Sequence, residues 1–340
     1  MQTALPRARA AQIAVIVPAY GVAHLVGEAL DSLLAQGFED WECVVIDDGA
    51  PDDVAGAVEP YLGDARIRFL ATGNHGVSAA RNTAIANTTA PFIALLDGDD
   101  LFRPAHLEKM VAALRGDPVA RIVTCNSRIF GAVPRERLSV DRRQGTSDGY
   151  HGSLADVLSR SFNVYIGSSF RRVDFDRVGG FDVEMAHAED FDFWVRLMAL
   201  GGHALYLDEV LGDYRVRAGS ASADSPRIYS GNIRTYSKLL DARPDAPEAE
   251  LLRELIAENE QLLALECAIE QVIAGETRAG LAVLRQHSDA VQGLSWKVSF
   301  ILWRAFPALA RPMLAWRQRS HARGAINPSL LQLLWNREMA

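Results

Sequence analysis

A short apolar segment at residues 94–96 ends abruptly in the acidic sequence Asp97-Gly98-Asp99-Asp100. Short apolar segments are typical of buried strands, and in open α/β sheets ligands bind beyond the carboxyl ends of the strands. Three carboxylates crowded at one strand end repel one another unless a cation joins them. Hard divalent ions such as Mg²⁺ or Mn²⁺ prefer oxygen ligands and commonly bind together with phosphates. This segment therefore predicts a strand that leads into a nucleotide and metal site.

The upstream chain repeats this signal and sets the fold class. The apolar residues 43–46 lead into a second acidic turn, Asp47-Asp48-Gly49. Apolar segments alternate with segments of helical periodicity, which is typical of a parallel sheet covered on both faces. The predicted strands are 13–17, 42–46, 66–70 and 91–96, and the predicted helices are 22–34, 54–62 and 78–87. We expect both acidic strand ends to face one crevice.

The remaining chain predicts further elements and three regions. We expect helices at 104–114 and 189–200, strands at 121–130, 164–173 and 204–207, and a long polar loop at 131–153. Helical periodicity returns at 228–240, 248–274 and 277–286. The predicted regions are an α/β nucleotide-binding domain over residues 1–225, a helical extension over 226–290 and a basic amphipathic tail over 291–340.

Cysteine usage and the lengths of the apolar segments indicate the cellular location of the protein. The three cysteines are scattered and lack metal-ligand spacing, which is typical of reduced thiols in a cytosolic protein. The first residues lack an apolar core of signal-peptide length, and no apolar segment reaches the roughly 18–20 residues that a spanning helix needs. We expect a cytoplasmic protein that can also attach peripherally to the inner face of a membrane.

Charge is distributed unevenly. The chain has a net charge of −8, yet residues 290–337 contain seven basic and no acidic residues. Basic residues interleaved with aromatic and aliphatic bulk suit an interfacial helix on anionic lipid, which Pro307 and Pro312 would divide into two pieces. The alternative is a helical appendage packed on the catalytic body with a solvated basic face. Nothing in the body resembles a nucleic-acid module, so we expect no nucleic-acid partner.

Several ordered motifs together resemble the family 2 glycosyltransferases. Each motif alone is a weak signal, but their order and spacing make the set specific over about two thirds of the chain. The motifs are residues 18–20, Glu28, Gln36, residues 47–49, 74–82, 97–100, Pro104, residues 179–182 and 189–194. The resemblance implies a GT-A fold, in which a nucleotide-binding sheet is flanked by helices, a nucleotide-sugar donor and inversion at the anomeric carbon.

The resemblance also implies roles for individual residues. Tyr20 would stack on the nucleobase, with Pro18 lining the same pocket. Asp48 would accept a hydrogen bond from the base, as from a uracil. Arg81 would help hold the base or phosphates, Asp97 would contact the ribose or support the metal, and Asp99 would ligate Mn²⁺ or Mg²⁺.

Asp190 is the expected general base, since an acceptor hydroxyl needs a positioned carboxylate to take its proton. The alternative interpretation is that Asp190 only caps the helix that follows it. The chain departs from the family pattern at Gly21, where asparagine is usual, and at Arg217, where histidine is common. An arginine cannot ligate a metal, so we expect Arg217 to bind phosphate directly.

These observations predict an inverting glycosyltransferase. The expected reaction moves a hexosyl or N-acetylhexosaminyl group from a UDP-sugar to a hydroxyl of a glycan or lipid-linked glycan in surface polysaccharide synthesis. The alternatives are a metal-dependent sugar-phosphate nucleotidyltransferase and a non-catalytic, membrane-docked protein that binds nucleotide sugars. The first alternative would need a glycine-rich phosphate loop after the first strand, and residues 18–21 do not form such a motif.

Overall fold

The fold is given by a computed structural model that describes residues 11–133, 135–140, 150–217, 225–288 and 294–322. The chain divides into two compact units. The first contains the residues up to Gly131 and those from Glu136 to Val216, and the second contains residues 132–135 and those from Arg217 onward.

A single mixed sheet forms the centre of the first unit, and the described residues contribute ten strands to it. Eight of them follow the order β3-β2-β1-β4-β9-β6-β10-β5, while β7 pairs with β6 and β8 with β10. The strands are β1 Ile13–Ala19, β2 Trp41–Asp48, β3 Ile67–Thr72, β4 Phe92–Leu95, β5 Leu101–Phe102, β6 Ala120–Gly131, β7 Arg137–Leu138, β8 His151–Gly152, β9 Ser169–Arg171 and β10 His203–Val216.

Helices flank this sheet, as the sequence predicts. They are α1 Val26–Leu34, α2 Val54–Val58, α3 Val77–Ala86, α4 His106–Gly116, α5 Leu154–Leu158, α6 Arg172–Val178 and α7 Glu189–Met198. In α1 the buried side chains recur three and four residues apart, so one face of the helix covers the sheet core. The predicted α/β architecture with flanking helices is therefore confirmed.

The parallel pairing predicted for the first half of the chain is confirmed, and the complete sheet is mixed. Strands β1 to β4 pair in parallel, and β6 pairs in parallel with β10. Between these two groups lies β9, which is antiparallel to both β4 and β6. Because β9 is antiparallel to both neighbours, β4, β6 and β10 run in the same direction, and their carboxyl ends lie at one edge of the sheet.

Three sequence predictions need correction. Only Ser169–Arg171 of the predicted strand 164–173 is extended, and the chain then enters α6. Strand β10 is 14 residues long, far beyond the predicted 204–207. The predicted loop 131–153 includes the short strands β7 and β8, while its residues 134 and 141–149 lie outside the described part of the chain.

The second unit is helical. Its helices are α8 Ser225–Ala242, α9 Ala249–Ala274, α10 Thr277–Gln286, α11 Leu294–Ala305 and α12 Ala310–Ala322. The predicted break at Pro307 is confirmed, because a short 3₁₀ turn separates α11 from α12. Pro312 instead lies in the first turn of α12, where a missing N–H costs no helical hydrogen bond.

Part of the predicted tail contributes to the core of this second unit. Trp296, Trp303 and Leu314 are buried in one cluster with residues of α9 and α10, among them Leu265 and Leu284. Among the residues that the structure describes, every helix is too short or too polar to span a bilayer.

Candidate active site at the carboxyl ends of the parallel strands

Three adjacent parallel strands bring the predicted site residues to one edge of the sheet. Strand β1 lies between β2 and β4, with Ala19 opposite Asp47 and Ile16 opposite Leu95. The loop after β4 is held to β1 by the Gly98 N–H, which donates to the Pro18 carbonyl at 3.3 Å. Asp48 is the last residue of β2, and Tyr20 and Asp97 follow β1 and β4 closely, so the predicted convergence of two acidic strand ends is confirmed.

The glycine between the acids is required by close packing. A Cβ atom on Gly98 would lie 3.0 Å from Val22 Cγ2 and 3.2 Å from the Pro18 carbonyl oxygen. These separations are shorter than ordinary van der Waals contact, so a side chain at this position would require its neighbours to shift by a few tenths of an ångström. The glycine thus fixes the position of Asp97 and Asp99 relative to the end of β1.

Asp52 holds the loop that follows β1. Its carboxylate accepts hydrogen bonds from the Gly21 N–H at 3.1 Å and the Ala23 N–H at 2.6 Å. Gly21 has φ +67°, a left-handed conformation that both glycine and asparagine tolerate, which accounts for the departure from the family pattern at this position. The loop leaves Tyr20 half exposed. Sequence reasoning missed Asp52, because no local pattern links it to residues 21–23.

Asp48 is buried and positions the start of α3. One of its oxygens accepts a hydrogen bond from the His75 N–H at 3.0 Å, and the other accepts one from the Gly76 N–H at 2.8 Å. The Thr72 hydroxyl lies 3.4 Å from the first oxygen. A carboxylate oxygen has two lone pairs, so the second oxygen can accept one more hydrogen bond. Base recognition by Asp48 stays a prediction beside this structural role.

Arg81 joins two distant parts of the chain. It is only 3% exposed, and its two terminal nitrogens donate to Asp97 and Glu189, each at 2.9 Å. Asp97 follows β4, whereas Glu189 begins α7, so the buried guanidinium ties the acidic loop to the first turn of that helix. The predicted contact of Arg81 with base or phosphate stays a prediction, since the side chain is engaged by two carboxylates.

The charges of this cluster shift one another's pKa values. Burial alone would lower the pKa of Arg81, but the negative charges of Asp97 and Glu189 outweigh it and raise that pKa. Burial and the neighbouring Asp190 carboxylate raise the pKa of Glu189, and Arg81 opposes that rise. Glu189 is thus a functional candidate. It belongs to the motif at residues 189–194, but the sequence alone indicates no role for it.

Asp190 lies in the first turn of α7, next to Glu189 and partly exposed. The Phe191 N–H donates to its carboxylate at 2.7 Å. The N-cap position is Ala188, which has no side-chain capping bond, so Asp190 acts on the first turn from within the helix. The preceding Ala188 has φ +55°, a left-handed conformation that is uncommon for a residue with a Cβ atom. Such strain is found preferentially at functional sites, where the surrounding structure fixes it.

The turn that follows α6 is fixed by α3. Asn82 accepts a hydrogen bond from the Phe181 N–H and donates to the Phe181 carbonyl, both at 2.8 Å. The Arg81 guanidinium lies 5.4 Å from the centre of the Phe181 ring. Asp192, which is buried on α7, pairs with Arg196. Asn82, Phe181 and Asp192 therefore position the site. Its partly exposed carboxylates are Asp97, Asp99 and Asp190.

The acidic loop is also tied to β10. The Arg215 N–H donates to Asp100 at 2.8 Å, and the Arg215 side chain donates to the Asp99 carbonyl at 2.8 Å and to Glu28 at 2.6 Å. Asp100 is 1% exposed, and burial, followed by the charge of Asp97, raises its pKa well above the ordinary value. Asp100 therefore supports the loop, while Asp97 and Asp99 remain partly exposed.

The donor set of this loop fits a hard divalent ion. Its side chains supply oxygen atoms only, which suits Mg²⁺ or Mn²⁺. Asp97 gives one oxygen to Arg81 and Asp100 is buried, whereas Asp99 is half-buried, and metal ligation by Asp99 stays a prediction. Arg217 directly follows β10, at the start of the second unit. Its role toward phosphate stays a prediction.

Comparisons with known proteins identify the family. The Glycosyl transferase family 2 model matches residues 14–179. A UDP-Glc:alpha-D-GlcNAc-diphosphoundecaprenol beta-1,3-glucosyltransferase, WfgD of Escherichia coli, is 24% identical over 62% of this chain and 80% of its own length. The chain spans about a third of the length of other curated relatives, among them uncharacterized glycosyltransferases of Rickettsia felis and Rickettsia bellii.

Solved structures agree in fold. TarS 1-349 of S. aureus, in complex with UDP-GlcNAc, matches with a TM-score of 0.61 at 17% identity, over 96% of this chain and 92% of that one. The mannosyltransferase PcManGT from Pyrobaculum calidifontis, in complex with GDP-Man and Mn²⁺, matches with a TM-score of 0.59 at 20% identity. The match covers 93% of this chain and 85% of that one. The fold is of the GT-A type, and the chain is a member of glycosyl transferase family 2 through residues 14–179.

Proposed function

We propose that this protein transfers a hexosyl or N-acetylhexosaminyl group, with inversion, from a UDP-sugar to a hydroxyl of a glycan or lipid-linked glycan. The family membership supports a transferase. The names of two similar proteins support the donor and acceptor class, since one uses UDP-Glc and a diphosphoundecaprenol-linked sugar and the other was solved with UDP-GlcNAc. The proposed role is a step in surface polysaccharide synthesis.

The observation that carries this proposal is the pair of hydrogen bonds from Arg81. They join the loop of Asp97 and Asp99 to the first turn of α7, which carries Asp190. A donor-binding acid and a proton acceptor must lie on either side of one reacting carbon for direct displacement. Arg81 keeps both segments in a fixed relation, which supplies the positioning that such a reaction needs.

Asp190 is the proposed general base. It takes the proton from the acceptor hydroxyl as the hydroxyl oxygen bonds to the anomeric carbon and the nucleoside diphosphate leaves with the bonding electron pair. A positioned base of this kind contributes roughly 10² to 10⁴ in rate. Direct displacement from the opposite face inverts the configuration at that carbon and needs one such carboxylate.

The nucleotide would bind at the ends of β1 and β2. The half-exposed ring of Tyr20 can stack on the base, with Pro18 beside it, and Asp48 can accept a hydrogen bond from the uracil through its remaining lone pair. Asp97 would contact the ribose, and Arg217 would bind phosphate. Bound Mn²⁺ or Mg²⁺, with Asp99 as ligand, would supply Lewis-acid stabilisation of the leaving diphosphate.

Titration calorimetry of UDP with and without Mn²⁺ tests the donor site. We expect Asp99→Ala to lose the Mn²⁺-dependent part of UDP affinity. Its unfolding temperature should stay that of the wild type, because Asp99 lies on a loop and its side chain is partly exposed. The matched control is Asp31→Ala, which removes an exposed acid of α1. Unchanged Mn²⁺-dependent affinity in Asp99→Ala would remove Asp99 from the site.

We also propose that the second unit rests on an anionic membrane surface, where a lipid-linked acceptor would be found. Helices α11 and α12 and the turn between them expose a group of apolar side chains, among them Ile301, Phe306 and Trp316. Lys297, Arg304 and Arg311 are exposed on the same two helices, and residues 294–322 contain no acidic side chain. Apolar bulk beside basic residues is what anionic lipid binding requires.

Vesicle sedimentation tests this surface. Truncation of the tail would remove Trp296 and Trp303 from the core, so point variants are the better probe. We expect wild-type protein to sediment with anionic vesicles at low salt and Ile301→Ser/Phe306→Ser to stay in the supernatant. Val183→Ser, at an exposed apolar position in the first unit, should sediment normally. Equal sedimentation of the double variant, or none for the wild type, would contradict the proposal.

A further inference from the structure

A second group of potential metal ligands lies outside the site described above. Asp117 follows the last residue of α4, His151 is the first residue of β8 and His203 is the first residue of β10. One ligand atom from each of the three side chains lies within 4.8 Å of the other two. The His203 Nε2 atom is 2.7 Å from Asp117 Oδ2, and the two imidazole rings have their centres 4.3 Å apart.

This group lies at the opposite edge of the sheet from the acidic loop. His203 begins β10 opposite Ala120, which begins β6. Both strands run in the same direction as β4, whose carboxyl end leads to Asp97. The amino ends of β6 and β10 therefore lie at the edge away from the proposed donor site, so the two groups cannot share one ion.

The carboxylate is already oriented for a ligand. Asp117 Oδ1 accepts hydrogen bonds from the Val119 N–H and the Ala120 N–H, both at 3.2 Å, while Oδ2 points to His203. Backbone donors on one carboxylate oxygen orient the other, which pairs with His203 here and would exchange that hydrogen bond for the ion. Such supporting hydrogen bonds orient metal ligands in proteins and tune their affinity.

The spacing and the donor atoms fit a transition metal. An ion about 2.0–2.2 Å from each ligand atom needs those atoms roughly 3–3.6 Å apart. The three ligand atoms already lie within 4.8 Å of one another, and the Asp117–His203 contact of 2.7 Å would open slightly to admit the ion. Two imidazole nitrogens and one carboxylate oxygen suit Zn²⁺ and its neighbours far better than Mg²⁺ or Ca²⁺. His151 is exposed, so an ion has a path to the group and room for a water ligand.

We propose that Asp117, His151 and His203 form a binding site for a divalent transition metal of the Zn²⁺ class, separate from the donor site. Its ligands come from the end of α4, from β8 and from β10. Strand β8 is only two residues long and pairs with β10 through Gly152 and His151. The ion would fasten this short edge strand to β10 and to the end of α4, which is a structural role.

The test uses untagged full-length protein that carries Asp99→Ala, so that the acidic loop contributes no site and failure of one proposal leaves the other testable. Calorimetry with Zn²⁺, and Co²⁺ titration followed by visible absorption, should each show one bound ion, and a large excess of Mg²⁺ should not displace it. Adding His151→Ala should weaken binding about tenfold or more and reduce the Co²⁺ absorption. His287→Ala, in the second unit, should bind as the parent does.

Several results would overturn the proposal. They are the absence of Zn²⁺ and Co²⁺ binding in the Asp99→Ala protein, affinity unchanged by His151→Ala, or easy displacement by Mg²⁺. Because His151 is exposed, its replacement should leave the circular dichroism spectrum intact. Asp117→Asn is the second variant, and it should also weaken Zn²⁺ binding, since the amide oxygen is a poorer ligand than the carboxylate.

Discussion

Two arginines, one in each unit, are almost fully buried in different surroundings. Arg81 is 3% exposed and donates to two carboxylates at the edge of the sheet. Arg317 is 7% exposed, and its guanidinium carbon lies 4.1 Å from the centre of the Trp296 ring. The negative charge of Glu266 attracts it. Paired charges raise the pKa of Arg81, whereas burial lowers the pKa of Arg317 to about 10, with partial compensation by Glu266.

This difference shows how each unit is held together. At the sheet edge, specific charges at fixed positions pair with one another, so replacement of Arg81 leaves two partly buried carboxylates without their cation. In the second unit, large aromatic and aliphatic side chains form the core, and the buried charge is a cost that packing offsets. The sheet edge should therefore be sensitive to loss of charge, and the helical unit should be sensitive to loss of volume.

The largest expected effect is that of Arg81→Met. Removal of the guanidinium leaves Asp97 and Glu189 facing each other without a cation, which should lower the free energy of unfolding by about 3–5 kcal/mol. The control is Arg68→Met, which breaks a half-exposed ion pair with Glu42 and should cost less than about 1 kcal/mol. Urea unfolding measures both, and equal losses would remove the special role of Arg81.

Loss of volume tests the second unit. Leu284 is fully buried in the helical core, so Leu284→Ala should lower the free energy of unfolding by about 2–5 kcal/mol. Leu309 is 43% exposed in the turn before α12, and Leu309→Ala should cost about 0.5 kcal/mol or less. A small effect at Leu284 would show that this core is not tightly packed.

Acid should destabilise the first unit through a buried histidine. Burial lowers the pKa of His106 to about 3, below its unfolded value near 6.5. The unfolded state therefore binds the proton first, and stability that is present above pH 6.5 is lost as the pH falls toward 3, by at most about 1.4 kcal/mol per pH unit. His106→Asn, which cannot titrate, should show a smaller loss between pH 6.5 and 4. Parallel stability curves for both proteins would contradict this.

The smallest expected effect belongs to Arg317→Met. The substitution removes the contact with the Trp296 ring and the attraction of Glu266, but it also removes the cost of burying a charge, so the net change should be about 1 kcal/mol or less. Thermal unfolding at two salt concentrations measures it. A loss of 3 kcal/mol or more would mean that Arg317 is paired as firmly as Arg81, and the contrast between the units would fail.

Local patterns predicted the strand ends well and the connections between them poorly. The apolar segment before Asp97 marks a strand because burial on both faces leaves a continuous apolar pattern. The bonds of Arg81 join residues 97 and 189, and no local pattern can indicate which acids a distant arginine will meet. The sequence did not indicate the pair of His151 and His203 either, since these residues meet only through the pairing of β8 with β10.

Tertiary context also decided where elements end. Residues 164–173 look extended by composition, yet only Ser169–Arg171 is extended. These are the residues that pair with β4 and β6, and the chain enters α6 at Arg172. In the tail, periodicity cannot separate the buried Trp303 from the exposed Ile301, since the answer depends on how α11 packs against α9.

Turnover by Asp190→Asn tests the central claim most directly. The substitution keeps the shape of the side chain at the start of α7 but removes its ability to take a proton at neutral pH. With UDP-sugar and an acceptor, release of UDP should fall about a hundredfold or more, while calorimetric affinity for the donor stays within about twofold. Turnover at the wild-type rate would contradict the account and leave Asp190 as a helix cap.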